Sequence, residues 1–390
     1  MLLLDLTHTS HTRARTGIQR VARALHENLA GTAIPVTRDP FLGAWRPLEA
    51  WELSNLANSQ GGEKRSAQWP ASAKWRGRLR RTFGRTSAHA LRGDFAGLIE
   101  PELFSAQVAR DHGKLFAQVS GPRVALFLDA IPLRFPELTP PGTVARFPTY
   151  LQELLRFDGI AAISEESRDS LLGYWRWLGV KNPPPVHALP LGVDPVVRSS
   201  AGDQPDPSAL PVVLSVGTLE GRKNHLALLE ACEQLWARGV SFQLRLIGHV
   251  NAETGGAAHA RALALQAAGR PLIYNGPATD EEIVRAYAAC AFTIYPSLAE
   301  GFGLPVIESL AHGKPCICSG LGALGEISRL GGCLALPALA PADLAAAIEK
   351  LLADPALRAD LAAAARARTF KSWSGYTQEL TAWMRTLPRR

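Results

Sequence analysis

Two glutamates, Glu300 and Glu308, bracket the string Gly301-Phe302-Gly303-Leu304-Pro305-Val306-Ile307. A carboxylate accepts two hydrogen bonds side by side, which suits the paired hydroxyls of a sugar or a ribose. Taken singly, either residue reads as an ordinary solvated glutamate. The elements around them give the pair a place. Ala291 to Tyr295 is a short run of apolar, aromatic and β-branched residues, expected as a buried strand that Pro296 and Ser297 end. Gly301 and Gly303 predict a loop whose backbone can approach a ligand closely. A helix is expected from Leu304, with Pro305 in its first turn, where a missing N–H costs nothing. Its free N–H groups favour an anion beside the loop.

Two further stretches have the same strand–loop–helix form. Val212 to Val216 predicts a strand, followed by Gly217-Thr-Leu-Glu-Gly-Arg222-Lys223-Asn224 and a helix through Leu235. Arg222 and Lys223 then fall at the carboxyl end of a strand, where open α/β sheets present ligands. Two cations there can neutralise a diphosphate, although a pair of solvated loop cations has the same pattern. At the start of the chain, Met1 to Thr7 predicts a strand and residues 8–16 a polar loop. Gly17 opens a helix along Ile18, Val21, Ala22, Leu25 and Leu29. This too is an anion cradle or a plain βα turn. Arg20 is a phosphate partner or an exposed helix residue.

The full Glu300–Glu308 string resembles the signature of the retaining glycosyltransferases of family 4, in which two glutamates with seven residues between them bracket a Gly-Phe-Gly-Leu-Pro segment. The resemblance implies the GT-B fold: α/β, with two Rossmann-like doubly wound domains facing a cleft. It implies that Glu308 holds the donor ribose and that Glu300 contacts the donor sugar. The backbone of Gly301, Phe302, Gly303 and Leu304 would meet sugar and diphosphate. Arg222 and Lys223 match the family's diphosphate clamp after Gly217. Thr16-Gly17-Ile-Gln-Arg20-Val21 resembles the N-terminal glycine loop beside the diphosphate. One departure stands out. The family's counterpart of the expected strand Arg123–Leu128 commonly ends in His-Asp, with the histidine near the reacting sugar, and this chain has Leu128-Asp129 after Arg123-Val-Ala-Leu-Phe. Asp129 is thus the remaining polar candidate there, or a cap for the turn before Pro132.

Metal ligands are not evident in the order of residues. No Asp-x-Asp occurs, and the histidines are scattered singly. Transfer without a divalent metal is therefore expected, with Arg222 and Lys223 in its place; no cofactor is expected. The five cysteines, Cys232, Cys290, Cys316, Cys318 and Cys333, lack ligand spacing and read as buried, reduced core thiols of a cytosolic protein. Cys316 and Cys318 share one face of a strand, a poor geometry for a disulfide. Met1-Leu-Leu-Leu-Asp5 is too short for a signal peptide, and no apolar run reaches the roughly eighteen residues of a membrane span.

A net charge of +7 and a pI near 9.3 raise a nucleic-acid reading, but no nucleic-acid motif accompanies them. The excess is local: nine Lys or Arg and no acid lie between Lys64 and Arg92. Interleaved with Trp69, Trp75, Leu79 and Phe83, these cations suit an anionic membrane surface, or simply a solvated basic loop.

The length and the alternation of strand and helix predict two parallel, doubly wound domains. Residues 1–195 form the acceptor domain, with a basic elaboration at about 40–110 that resists a clean assignment. Residues 196–210, rich in Pro, Ser, Gly and Asp, read as a linker, and 211–369 as the nucleotide-sugar domain. A last helix within 370–390 is expected to cross back to the first domain. A retaining hexosyltransferase acting on a glycan or lipid-linked acceptor is the expected function, in the cytoplasm or peripherally at the inner face of the plasma membrane. GDP-mannose is the expected donor on the breadth of the family, while UDP-hexoses and dTDP-rhamnose fit the same motif. A nucleotide-sugar epimerase, and a catalytically silent GT-B partner suggested by Leu128, are the alternatives.

Overall fold

The computed structural model describes residues 1–14, 17–57, 67–83, 90–193 and 210–388. Outside them lie nearly all of the expected 196–210 linker, Thr16 of the first glycine motif, and Lys64, Arg65 and Arg85 of the basic segment. The chain divides into two units. Unit 1 comprises Met1–Ala130, Gly142–Gly192 and Ser372–Arg390; unit 2 comprises Ile131–Pro141 and Val193–Lys371. The Ile131–Pro141 segment, assigned by sequence to the first domain, thus groups with the second.

Unit 1 is built on β1 (Leu2–Asp5), β2 (Ala33–Asp39), β3 (Ala44–Pro47), β4 (Gly97–Glu100), β5 (Arg123–Phe127), β6 (Gly159–Ala162) and β7 (Val186–Ala188). Their order is β3-β2-β1-β4-β5-β6-β7. Only the β2–β3 pair among these is antiparallel. The strands β4, β5 and β6 are buried end to end, as expected where helices cover both faces of a parallel sheet. The Trp373–Arg385 helix packs on this unit, and Gly97 and Gly159 make room for it. A Cβ at Gly97 would collide with Met384, and one at Gly159 with Leu387 and Trp383.

Unit 2 carries β8 (Val212–Val216), β9 (Gln243–Ile247), β10 (Leu272–Tyr274), β11 (Phe292–Tyr295), β12 (Cys316–Ser319) and β13 (Cys333–Leu336). All pair in parallel, in the order β10-β9-β8-β11-β12-β13. One face buries Val213, Leu244, Phe292 and Ile317 against Leu228, Leu235, Leu344 and Ile348 of the flanking helices. The helix Asp280–Ala289 starts with the reciprocal Thr279–Glu282 capping box that its sequence predicts.

In both sheets the strand order reverses once, between β1 and β4 and between β8 and β11. Crossovers leave in opposite directions at such a point, and a crevice opens outside the carboxyl ends of the two strands. The polar clusters described below occupy these two places.

Three sequence readings change. The 40–110 stretch is more than an elaboration: besides the helices Ala50–Ala57 and Ala71–Thr82, it contributes β4, a strand in the middle of the sheet. The cysteines are less dispersed than their spacing suggests. Parallel pairing sets Cys316 opposite Cys333, and the Sγ atoms of Cys316, Cys318 and Cys333 lie within 4.8 Å of one another. Cys316 and Cys318 are buried, whereas Cys333 is half-buried. Nor is every histidine isolated, since the fold brings His112 to Asp5 and Glu100. No helix among the described residues is long and apolar enough to cross a membrane.

Candidate functional site

In unit 2 the loop after β8 and the loop after β11 meet at the β8/β11 reversal. The first ends in a single 3-10 turn, Gly221–Lys223. Asn224 follows in the left-handed region (φ 56°) and anchors its side chain on the Leu339 carbonyl at 3.0 Å. This bend lets the chain turn into the His225–Ala237 helix with Arg222 and Lys223 beside the second loop. A backbone hydrogen bond, from the Leu298 N–H to the Arg222 carbonyl at 2.8 Å, ties the loops together.

Glu300 is the hub. Arg222 donates to its Oε2 at 2.8 Å and Lys223 to its Oε1, while Arg222 also pairs with Glu220 at 2.7 Å. Burial pushes the Glu300 carboxyl up, but the two cations outweigh burial and hold it at about 2. Glu300 is therefore ionised at any physiological pH. Burial and the Arg222 charge lower the Lys223 ammonium, against the opposing pull of Glu300. Two cations and two carboxylates at one crevice form a charge cluster in which an anionic ligand can compete for Arg222 and Lys223.

Gly303 is required by the protein itself. It caps the Leu304–Ala311 helix at φ 105°, and an added Cβ would crowd Leu324 and Ile327. Phe302 and Leu304 are buried, so their side chains belong to the core and only their backbone is available to a ligand. Gly301 is buried as well. Glu308 is half-buried on the second turn of that helix, near enough to Tyr287 and Tyr295 to raise both phenols after burial. Gly217 differs from Gly303: its Cβ would meet no protein atom, so its place is dictated by neither packing nor a positive φ.

The remaining sequence candidates lie in unit 1. Gly17 opens the Gly17–Asn28 helix with open space where a Cβ would be, and Arg20 is half-buried one turn later. Asp129 is half-buried just beyond β5; Leu128, at the departure from the family pattern, offers its carbonyl to Ser167 Oγ at 2.8 Å.

Sequence reasoning missed a cavity of about 450 Å3 in unit 1, lined among others by Asp5, His8, Trp69, Glu100, Glu102 and Arg146. Its polar end is the β1/β4 reversal. Glu102 is fully engaged there, accepting from the His8 N–H and the Thr9 N–H at 2.8 Å each, and from the Thr9 hydroxyl. His11 bridges the Thr7 carbonyl and Glu52, both at 2.7 Å, and stacks on Trp69 with ring centroids 4.0 Å apart. Burial raises the Asp5 carboxyl to about 6 and, helped by Asp5, raises Glu100 well above the usual range. The signal that could have exposed this cluster was an acid ending each of two short apolar runs, Leu2-Leu-Leu-Asp5 and Gly97-Leu-Ile-Glu100.

Residues 200–368 match the family described as glycosyl transferases group 1. Over 383 residues the chain is 26% identical to the serotype-specific mannosyltransferase WbdA of Escherichia coli, covering 90% of this chain and 42% of that protein. It is 32% identical over 215 residues to the D-inositol 3-phosphate glycosyltransferase of Nocardiopsis dassonvillei, half of this chain and 49% of that one. The chain thus spans less than half the length of these relatives. Among solved structures, Anabaena HepE in complex with UDP-glucose superposes with a TM-score of 0.70 at 15% identity, over 99% of both chains. Sucrose-phosphate synthase of Thermosynechococcus elongatus gives 0.69 at 20% identity, over 99% of this chain and 98% of that one. Two largely parallel α/β sheets, a charge cluster at the β8/β11 reversal and these likenesses lead to one assignment: the chain has the GT-B fold, and its residues 200–368 match the group 1 glycosyltransferases.

Proposed function

We propose that this chain transfers a hexose from a nucleotide-sugar donor to a glycan or lipid-linked acceptor, with retention, in surface-polysaccharide assembly at the cytoplasmic side of a membrane. The observation that carries the reading is the Arg222–Lys223–Glu300 cluster at the β8/β11 reversal. In this scheme Arg222 and Lys223 turn toward the donor diphosphate and stabilise the charge left on the departing nucleotide. Glu300 holds the donor sugar, and the Gly301–Leu304 backbone and the following helix N-terminus meet sugar and phosphates. Glu308 takes the ribose hydroxyls. The acceptor attacks on the face from which the nucleotide leaves, so no enzyme nucleophile is required, and the departing phosphate takes the acceptor proton. The unit 1 cavity, with Asp129 in the same unit, serves the acceptor side, and Gly17 serves the donor diphosphate.

The mannosyltransferase name of WbdA supports GDP-mannose as the donor, whereas HepE was solved with UDP-glucose. A panel of radiolabelled GDP-mannose, UDP-hexoses and dTDP-rhamnose, each with lipid-linked acceptors, is the test. Release and transfer are expected with one donor. Nucleotide binding without turnover of any donor would instead favour the catalytically silent reading.

Nucleotide affinity should also be the same in Mg2+ and in a chelator, because the two cations replace a metal at the diphosphate. A loss of affinity on chelation would refute that assignment. Glu308→Ala is expected to weaken nucleotide binding about 10- to 100-fold, the equivalent of roughly 1.5–3 kcal/mol for a charged hydrogen-bond acceptor. Unchanged affinity by calorimetry would remove Glu308 from the ribose.

A further inference from the structure

We propose that Asp5, Glu100 and His112 together bind one divalent first-row transition-metal cation, of the Zn2+ or Mn2+ class, at the polar end of the unit 1 cavity. Strands β1 and β4 pair in parallel with Leu4 opposite Ile99. The next residues, Asp5 and Glu100, therefore end the two strands side by side at the sheet's reversal. His112 reaches the same point from the Ala106–Phe116 helix, its ring enclosed by Phe104, Phe116 and Phe157 at centroid distances of 4.7, 5.2 and 5.6 Å. One ligand atom from each residue lies within 4.8 Å of the others, and His112 Nε2 is 3.8 Å from Glu100 Oε2. Donors around a tetrahedral ion with bonds near 2.0–2.2 Å sit about 3.3–3.6 Å apart, so binding draws the three side chains together by about 1 Å.

The electrostatics favour a cation. Asp5, Glu100 and His112 are each 0–1% exposed. Asp5 Oδ2, Glu100 Oε2 and both ring nitrogens of His112 have no hydrogen-bond partner. The neighbouring charged groups are committed elsewhere. Glu102 is held by the His8 and Thr9 N–H groups; Arg38 goes to Asp111, at 2.8 and 2.5 Å, and Arg46 to Asp39 and Glu52. Burial and then the Arg156 charge keep the His112 imidazole neutral, and Arg156 itself goes to Glu153 and the Ala109 carbonyl. A proton shared by the two carboxyls would relieve their repulsion and leave the imidazole unused. A cation satisfies the carboxylates and the imidazole at once. An imidazole with two carboxylates suits Zn2+ or Mn2+ better than Mg2+ or Ca2+, which prefer oxygen and water. Asp5 and Glu100 line the cavity, which gives an ion an entry path.

The proposal stands apart from the donor reading, because all three ligands belong to unit 1 and the Arg222–Lys223–Glu300 cluster to unit 2. The test uses the full chain, purified without an affinity tag that binds metal, stripped with chelator, and titrated with Mn2+, Zn2+ and Co2+. One equivalent should bind, with a rise in Tm and, for Co2+, visible absorption bands of a nitrogen–oxygen site. Glu100→Gln and His112→Gln should each weaken binding at least tenfold while nucleotide affinity is unchanged, and a parent-like far-UV circular dichroism spectrum with a cooperative thermal transition reports that the variants are folded. Should Glu100→Gln fail to fold, His112→Gln and the Co2+ spectrum decide the matter. No stoichiometric binding, or binding unaltered in both variants, overturns the proposal. So does binding that is lost on Cys333→Ser with a thiolate-to-metal absorption band, since it would assign the ion to the Cys316–Cys318–Cys333 cluster.

Discussion

Lys223→Ala is expected to lower kcat by about two to three orders of magnitude, or roughly 2.7–4 kcal/mol, the scale seen when one preorganised donor is taken from a developing negative charge. Lys223 is suited to that work because it is buried on a short turn beside Glu300. Once turned to the bound diphosphate, its ammonium spends no further reorganisation at the moment of transfer. The ground-state consequence should be smaller. In the variant Glu300 keeps its 2.8 Å hydrogen bond from Arg222 and the Ala299–Leu298 backbone keeps its ties to Arg222, so the loop pair stays assembled. KM for the donor is therefore expected to rise far less than kcat falls. Lys223→Arg should restore little, because a planar fork cannot occupy the buried site of a compact ammonium. A folded Lys223→Ala enzyme with kcat within tenfold of the parent would mean that Lys223 only braces Glu300.

The two clusters differ in how far the residue order reveals them. The β8/β11 cluster was legible because each of its residues follows its strand within a short loop, so motif and site coincide: Arg222 and Lys223 after β8, Glu300 after β11. What the order hid was the arrangement at contact distance. Glu220 joins Arg222, and Gly303 serves a left-handed cap packed against Leu324. The β1/β4 cluster needed three residues far apart in sequence, and β4 was its missing piece. Four residues, Gly97–Glu100, are too few for a periodic signal, and they follow a long polar stretch that reads as an insertion. Without β4 there was no place to put Glu100, and without Glu100 His112 was one more isolated histidine. The cysteine triad was hidden for the same reason, since a parallel register unites Cys316 and Cys333 where spacing alone does not.

The Ala71–Thr82 helix should bind vesicles of anionic lipid, and its faces say which residues carry the binding. Ala73 and Gly77 turn inward; a Cβ on Gly77 would fall 2.7 Å from Phe41 Cβ, so the helix lies close on its unit. Trp75 and Leu79, four residues apart, and Phe83 at the C-cap are 63, 50 and 72% exposed. Arg76 and Arg80 flank one side and are already paired with Glu49 at 2.8 and 3.1 Å. Lys74, Arg78 and Arg81 flank the other and are exposed. Apolar groups dipping below headgroups that the cations contact is the arrangement of an interfacial helix. Each cation near an anionic surface contributes on the order of 1 kcal/mol. Replacing Lys74, Arg78 and Arg81 by Gln should thus weaken co-sedimentation with anionic vesicles about a hundredfold, while Arg76 and Arg80 stay in place to hold Glu49. Burying an exposed aromatic contributes a comparable amount, about 1.5–3 kcal/mol when complete. Trp75→Ser with Phe83→Ser should therefore weaken binding to a similar extent but leave its salt dependence intact. The triple Gln variant should lose most of that dependence, because screening acts on the cations alone and Arg76 and Arg80 are paired with Glu49. Equal binding to neutral and anionic vesicles, or none to either, would make the helix a solvated basic surface, and the lipid-linked acceptor would have to be reached without it.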